Sequence, residues 1–289
     1  MKSLNYKEYQ AKGKINLEEF STSYEGKLDK KEGKKMLQQE KEKLHLLQEK
    51  MYADGSQSLL IVLQAMDAAG KDSLIEHVFG GINPQGCVVT SFKSPSSLEY
   101  RHDFLWRHYI ALPEKGKIGI FNRSHYENVL VCKVHSEYIL NEKVWDNVDD
   151  LDEKFWDERY ESIENFEKHL AENGTTIIKI FLNVSLKEQK QRFLDRINEE
   201  DKNWKFGMAD LAERKLWPEY MKAYEETLTR TSKDHAPWYI IPADNKWFAR
   251  LAALDIIIET LENMNLEFPE VAEEQKEKLQ DAKETLEKE

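Results

Sequence analysis

Five short apolar runs punctuate this 289-residue chain: Leu59–Leu63, Cys87–Phe92, Lys117–Asn122, Thr175–Leu182 and Trp238–Pro242. Runs this short and partly β-branched predict strands, and the first has the unbroken apolarity of a strand buried on both faces. Stretches with helical spacing separate them. Leu74, Ile75, Val78 and Phe79 mark one face of a helix, and Leu98–Leu112 predicts another that ends at Pro113 to Gly116. Trp145–Asn173 predicts a long charged helix striped by Phe155, Ile163, Phe166 and Leu170 and stopped by Asn173-Gly174. Ser185–Asn198, capped by Ser185, follows, then Ala212–Thr231 with a distortion at Trp217-Pro218, and finally Trp247–Leu261. Strands and helices in alternation predict an α/β fold with a parallel sheet.

The flanks differ from this pattern. Residues 1–30 are polar with scattered aromatics (Tyr6, Tyr9, Phe20, Tyr24) and read as an arm laid over the main domain, followed by one helix over Lys30–Tyr52. Residues 268–289 predict a Glu/Lys-rich helix whose apolar positions are Val271, Leu279, Ala282 and Leu286, expected to fray or to contact a neighbouring subunit. No internal repeat and no linker divides the chain. The expected organisation is an arm and helix over 1–58, a catalytic domain over 59–267 with a lid near 192–215, and a charged C-terminal helix over 268–289.

Charge narrows the function. A net charge of −12 excludes a general nucleic-acid binder, so any polyanion site must be local. Cys87 and Cys132 are too few for a disulfide framework or a zinc site. No apolar run approaches the ~20 residues that span a bilayer, and the N-terminus lacks a signal-peptide core. A cytoplasmic protein with no membrane partner is expected.

The chemistry concentrates in two stretches. After the first strand, Ala65-Met66-Asp67-Ala68-Ala69-Gly70-Lys71-Asp72-Ser73 has the form of a phosphate-binding loop running into a helix N-terminus. Ala65 replaces the usual first glycine, and Asp72 stands where a Ser or Thr normally meets magnesium. Carboxylates flanking Lys71 would repel phosphate unless a hard divalent cation intervenes. The plainer alternative is a strand-turn-helix without ligand, capped by Asp67 or Asp72. After the third strand comes Asn122-Arg123-Ser124-His125-Tyr126-Glu127, which delivers an amide and an arginine to the strand's carboxyl edge, where ligands of open α/β sheets bind. His125 reads as a packing residue rather than a base. Lys93, Arg107, Arg192, Arg196, Lys202 and Lys205 are further cations in reach of such an edge or of a lid over Glu199–Leu211. The Asp244-Asn245 turn is expected to cap the last core helix rather than line a pocket.

With both stretches in hand, the chain resembles the polyphosphate kinase 2 family. Met66 to Asp72, Ser91-Phe92-Lys93, Leu105-Trp106-Arg107, Ile118 to Glu127 and Trp204-Lys205-Phe206 carry the resemblance, spread from about Leu59 to Leu261. Phe121-Asn122-Arg123-Ser124-His125-Tyr126-Glu127 departs from the Phe-Asp-Arg-Ser-Trp-Tyr of many members and looks like the class III branch. The resemblance implies a P-loop kinase-like three-layer fold with a central five-stranded parallel sheet, helices on both faces and a helical lid. It also implies reversible transfer of phosphate from inorganic polyphosphate to AMP and ADP, giving ADP and ATP. The alternatives are an ATP-dependent nucleoside or nucleotide kinase, or a non-catalytic nucleotide- or polyphosphate-binding protein.

On this resemblance Asp67, Lys71, Asn122 and Arg123 are the expected catalytic residues. Ala68, Ala69, Gly70, Lys71, Asp72, Ser73, Lys93, Arg107, Arg192, Arg196 and Lys205 are expected to bind phosphate or polyphosphate. Asn122, Arg123, Tyr126 and Glu127 are expected to bind nucleotide. Asp67, Asp72 and Glu127 are the expected ligands of Mg²⁺, with Mn²⁺ as the alternative metal. A homo-oligomer, dimer or tetramer, is expected.

Overall fold

The computed structural model describes residues 6–289, and residues 1–5 of the expected arm lie outside the described residues. Five strands form one sheet: β1 (Ser58–Gln64), β2 (Cys87–Ser91), β3 (Ile118–Asn122), β4 (Thr175–Asn183) and β5 (Trp238–Pro242). All neighbours run parallel, in the order β2-β3-β1-β4-β5. Every residue of the central β1 is buried, as its unbroken apolar run requires. Leu63 pairs with Asn122 on β3 and with Ile180 on β4, so the polar end of β3 emerges beside the end of β1.

Ten α-helices surround the sheet among the described residues: α1 (Lys30–Asp54), α2 (Lys71–Phe79), α3 (Trp106–Tyr109), α4 (Val131–Val134), α5 (Glu153–Glu172), α6 (Leu186–Asn198), α7 (Met208–Lys215), α8 (Trp217–Thr231), α9 (Lys246–Asn263) and α10 (Glu273–Leu286). α1 and α2 pack on α9, while α5 packs on β4 and on α8. The α1–α9 contact is close because Gly33 has no side chain; a Cβ there would lie 2.2 Å from the Trp247 ring. Leu44 and Met51 complete the α1 seam at 1% and 0% exposure. Burial of a side chain of this size is worth about 1.5–3 kcal/mol. The side chains of α10 are all exposed. No helix among the described residues is long and apolar enough to cross a membrane.

Three local expectations are corrected. Leu98–Leu112 is not one helix but a 3₁₀ turn at Glu99–Arg101 and the single turn of α3. Side chains take the backbone there: Glu99 accepts from Ser96 N at 2.6 Å and Asp103 from Leu105 N at 2.9 Å. α5 begins at Glu153, not Trp145, because Asp152 accepts from Phe155 N at 2.9 Å and caps it. The expected lid over Glu199–Leu211 is helical, with a 3₁₀ helix over Glu200–Lys205 followed by the start of α7.

The third correction concerns Asp244-Asn245. Asn245 makes no side-chain cap to α9. Its Oδ1 instead accepts from Ser23 Oγ at 2.8 Å and Tyr24 N at 2.9 Å. Asp244 accepts from Thr22 Oγ1 at 2.9 Å and Ser185 N at 2.8 Å. The turn thus ties the N-terminal arm, which also donates from Ala11 N to Trp238 O at 2.8 Å, to the start of α6.

Candidate active site

β1 ends at Gln64, and Ala65 to Gly70 turn the chain into α2. Ala68 (φ 61°) and Gly70 (φ 114°) both occupy the left-handed region. Glycine does so freely, whereas a residue with a Cβ is strained by roughly 1–2 kcal/mol. Gly70 caps α2 without a side-chain acceptor, which leaves the helix start open to an anion. Lys71 folds back over the loop, donating to Ala65 O at 2.6 Å and Met66 O at 3.4 Å. Burial, and then the positive charge of Arg123, pull its pKa down to about 8.

Arg192, expected in the polyphosphate channel or lid, is instead a brace behind this loop. It is 4% exposed. Nη1 donates to Ala68 O at 3.0 Å and Ala69 O at 2.6 Å, Nη2 to Ala243 O at 2.6 Å and Asp244 O at 3.2 Å, and Nε to Glu188 at 2.8 Å. All five guanidinium N–H groups are engaged in these bonds. Gln189 adds a bond from Nε2 to Asp67 O at 3.0 Å.

The turn after β3 faces the loop. Arg123 sits at φ 63° and donates from its backbone N to Leu63 O at 3.1 Å. Its guanidinium bridges the two motifs, with Nη2 2.9 Å from Asp67 Oδ1 and Nη1 3.4 Å from Glu127 Oε2. The charges of Glu127 and Asp67 hold its pKa above the ordinary arginine value. Asn122 makes a second bridge, donating to Asp72 Oδ1 at 2.6 Å. Tyr126, expected to bind nucleotide, points away from this surface: it is 0% exposed and its hydroxyl donates to Glu167 at 2.8 Å in the core. The 3₁₀ geometry of His125–Asn128 turns Arg123 and Glu127 outward while burying the two residues before Glu127.

A cavity of about 390 Å³ opens beside Arg123 and Glu127, walled by Phe92, Lys93, Tyr100, Phe104, Arg107 and Tyr138 among others. That volume is typical of a small-molecule site. Lys93 is exposed at its wall, and Arg107 lies 3.0 Å from Glu99 with its guanidinium over the Phe92 ring. Arg196 and Lys205 lie apart from the cavity on the α6–α7 segment, where Arg196 donates to Lys205 O at 3.1 Å. Lys202 pairs there with Glu199. Asp210 on α7 is near enough to Asp67 for that charge, after burial, to raise its pKa.

Several neighbours escaped sequence reasoning. Lys246 and Arg250 stand one turn apart on α9, and Arg250 donates to Ser73 Oγ at 2.7 Å. Burial, followed by the charges of Arg192 and Arg250, lowers the Lys246 pKa. Their four-residue spacing just after β5 was the available signal. Tyr100, Phe104 and Tyr138 had none, because they come from irregular segments.

Asp67 and Glu127 supply hard carboxylate oxygens at 29% and 25% side-chain exposure, on either side of Arg123. Among the described residues no group of three or more His, Cys, Asp or Glu could enclose a metal. This donor set fits Mg²⁺, which retains waters and substrate oxygens and needs only one or two carboxylates.

The polyphosphate kinase 2 family model matches residues 27–269. The ADP-polyphosphate phosphotransferase of Rhodopseudomonas palustris is 47% identical over 267 residues, covering 92% of each chain. The AMP/ADP-polyphosphate phosphotransferase of Meiothermus ruber is 44% identical over 228 residues, 79% of this chain and 80% of its own. A crystal structure of polyphosphate kinase 2 from Arthrobacter aurescens TC1 superposes with a TM-score of 0.86 at 36% identity, covering 93% of both chains.

Proposed function

The chain belongs to the polyphosphate kinase 2 family, and from that premise we propose that it transfers phosphoryl groups from inorganic polyphosphate to AMP and ADP, giving ADP and ATP reversibly. It is class III-like, a phosphotransferase that acts on both acceptors. One observation carries the site assignment: Arg123 reaches across from the turn after β3 to Asp67 of the phosphate loop, at the mouth of the cavity.

In-line transfer between two phosphates needs charge neutralised and the two ends held together, with little covalent work for the protein. The acceptor nucleotide occupies the cavity, its phosphate directed at Arg123, with Lys93 and Arg107 on its walls. The α2 N-terminus and Lys71 hold the transferring phosphoryl group. The polyphosphate chain leaves on the opposite side, past Ser73 toward Lys246 and Arg250, so that donor and acceptor flank the reaction centre. Arg123, released from its carboxylates, spans the equatorial oxygens through its planar fork. Asp67 and Glu127 would hold Mg²⁺, with Asn122 fixing Asp72 nearby, and the bound ion would supply charge neutralisation to the phosphates. Arg196 and Lys205 close over the chain with α7 and limit water access.

Purified protein given AMP, polyphosphate and Mg²⁺ should form ADP and then ATP. Product formed with ATP as donor but never with polyphosphate would make it an ordinary nucleotide kinase. Turnover of ADP but not AMP would restrict it to the activity named for the Rhodopseudomonas relative. Chelation of the metal should stop turnover, and Mg²⁺ or Mn²⁺ should restore it.

A further inference from the structure

Directly beneath the Arg123 turn lies a charged network sealed from solvent. Glu167 on α5 is 1% exposed, and Lys179 on β4, His125 and Tyr126 are each 0% exposed. Lys179 Nζ donates to Glu167 Oε2 at 2.5 Å, Tyr126 OH at 2.7 Å and Thr231 O at 2.8 Å, which uses all three ammonium protons. The other Glu167 oxygen, Oε1, accepts from the Tyr126 hydroxyl at 2.8 Å and lies 3.1 Å from His125 Nε2. Burial alone would raise the Glu167 carboxyl, but Lys179 and His125 outweigh it and hold the group ionised.

Stability does not explain such a pair. Two charges taken out of water seldom outperform apolar side chains of similar volume. What the pair does fix is backbone. One carboxylate oxygen holds two successive residues, His125 and Tyr126, between Arg123 and Glu127. Arg123 occupies a left-handed conformation, which in a residue with a Cβ persists only where its surroundings over-determine it.

We infer that Glu167 and Lys179 are positioning residues for phosphoryl transfer: through His125 and Tyr126 they lock the turn that aims Arg123 at the phosphates. This rests on the reading of Arg123 given above. The test is the double substitution Glu167→Leu/Lys179→Met, which replaces both charges with apolar groups, made in the parent and in Arg123→Ala. In the parent it should lower the melting temperature, because the His125 ring, the Tyr126 hydroxyl and Thr231 O lose their buried partners, yet leave the protein folded and the nucleotide KM little changed, while kcat falls about a hundredfold, the scale of a small misplacement of reacting groups. In Arg123→Ala the same pair should change kcat by less than about twofold, because the group being aimed is gone. Unchanged kcat in the folded double variant, or an equal loss in both backgrounds, overturns the inference. If the double variant does not fold, Tyr126→Phe, which removes only the bridging hydroxyl, enters the same cycle.

A crystal structure of the folded variant gives an answer independent of turnover. Loss of the positive φ at Arg123 and of its contact with Asp67 supports positioning, and an unaltered turn overturns it. Full activity in Arg123→Ala alone would instead overturn the functional reading, with the crystallographic comparison still deciding this one.

Discussion

Ala68 and Arg123 lie on facing turns with nearly the same left-handed backbone, φ 61° and 63°, yet they are held from different directions. The Ala68 loop is gripped through its carbonyls by Arg192, whose other contacts run to the Ala243-Asp244 turn and so to the N-terminal arm. The Arg123 turn is tied from inside the core by Glu167. The first turn therefore follows the helices and arm around it, including the α6–α7 segment that carries Arg196. The second is anchored instead on α5 and β4, through groups sealed from solvent. The two walls of the site thus answer to different parts of the fold.

The contrast is most sharply tested at the Arg123 side. Arg123→Ala should lower kcat by about 10²–10³, equivalent to about 3–4 kcal/mol of barrier, in steady-state assays at saturating nucleotide. Its 41% side-chain exposure means that the melting temperature should move little. Arg192→Met should do the reverse. With its carbonyl partners left unmatched, the protein should lose roughly 1.5–3 kcal/mol in urea denaturation, and KM for polyphosphate should rise more than KM for AMP.

A third expectation concerns Lys71. Its folded pKa of about 8 lies below the ordinary 10.5. Below pH 8 the lysine is charged whether folded or unfolded. Between the two values the unfolded chain binds the proton that the folded chain has lost, so stability of the ligand-free protein rises with pH across that window. The gain should be on the order of 3 kcal/mol, and Lys71→Met should flatten it. The smallest effect belongs to Gly70→Ala, which forces a Cβ into φ 114° and should cost about 1 kcal/mol by thermal denaturation. A much larger loss there would mean that the loop depends on its backbone geometry as strongly as the Arg123 turn does.

All five strands were legible because apolar runs survive any detail of packing. Leu98–Leu112 was not, since Glu99 and Asp103 redirect the backbone through side-chain bonds that helical periodicity does not register. Within the site, Asp67, Lys71, Asn122 and Arg123 were visible as motifs, and the structure brings them together. Tyr126 misled because adjacency in sequence to Arg123 says nothing of direction in a 3₁₀ turn. Arg192 misled for a different reason: a basic residue on a lid helix looks the same whether its donors meet phosphate or backbone. The Asp244-Asn245 pair had the composition of a cap, but its acceptors were claimed by an arm more than two hundred residues away in sequence.

The Arg192 brace also has a consequence for synthesis. It lies 124 residues after Ala68, and Ala243 follows it by another 51. On the ribosome the Lys71 loop emerges early, but the carbonyls that complete its support are not made until β5 has been translated. A nascent chain that ends before Ala243 therefore carries the motif without the full set of contacts that hold its brace in place.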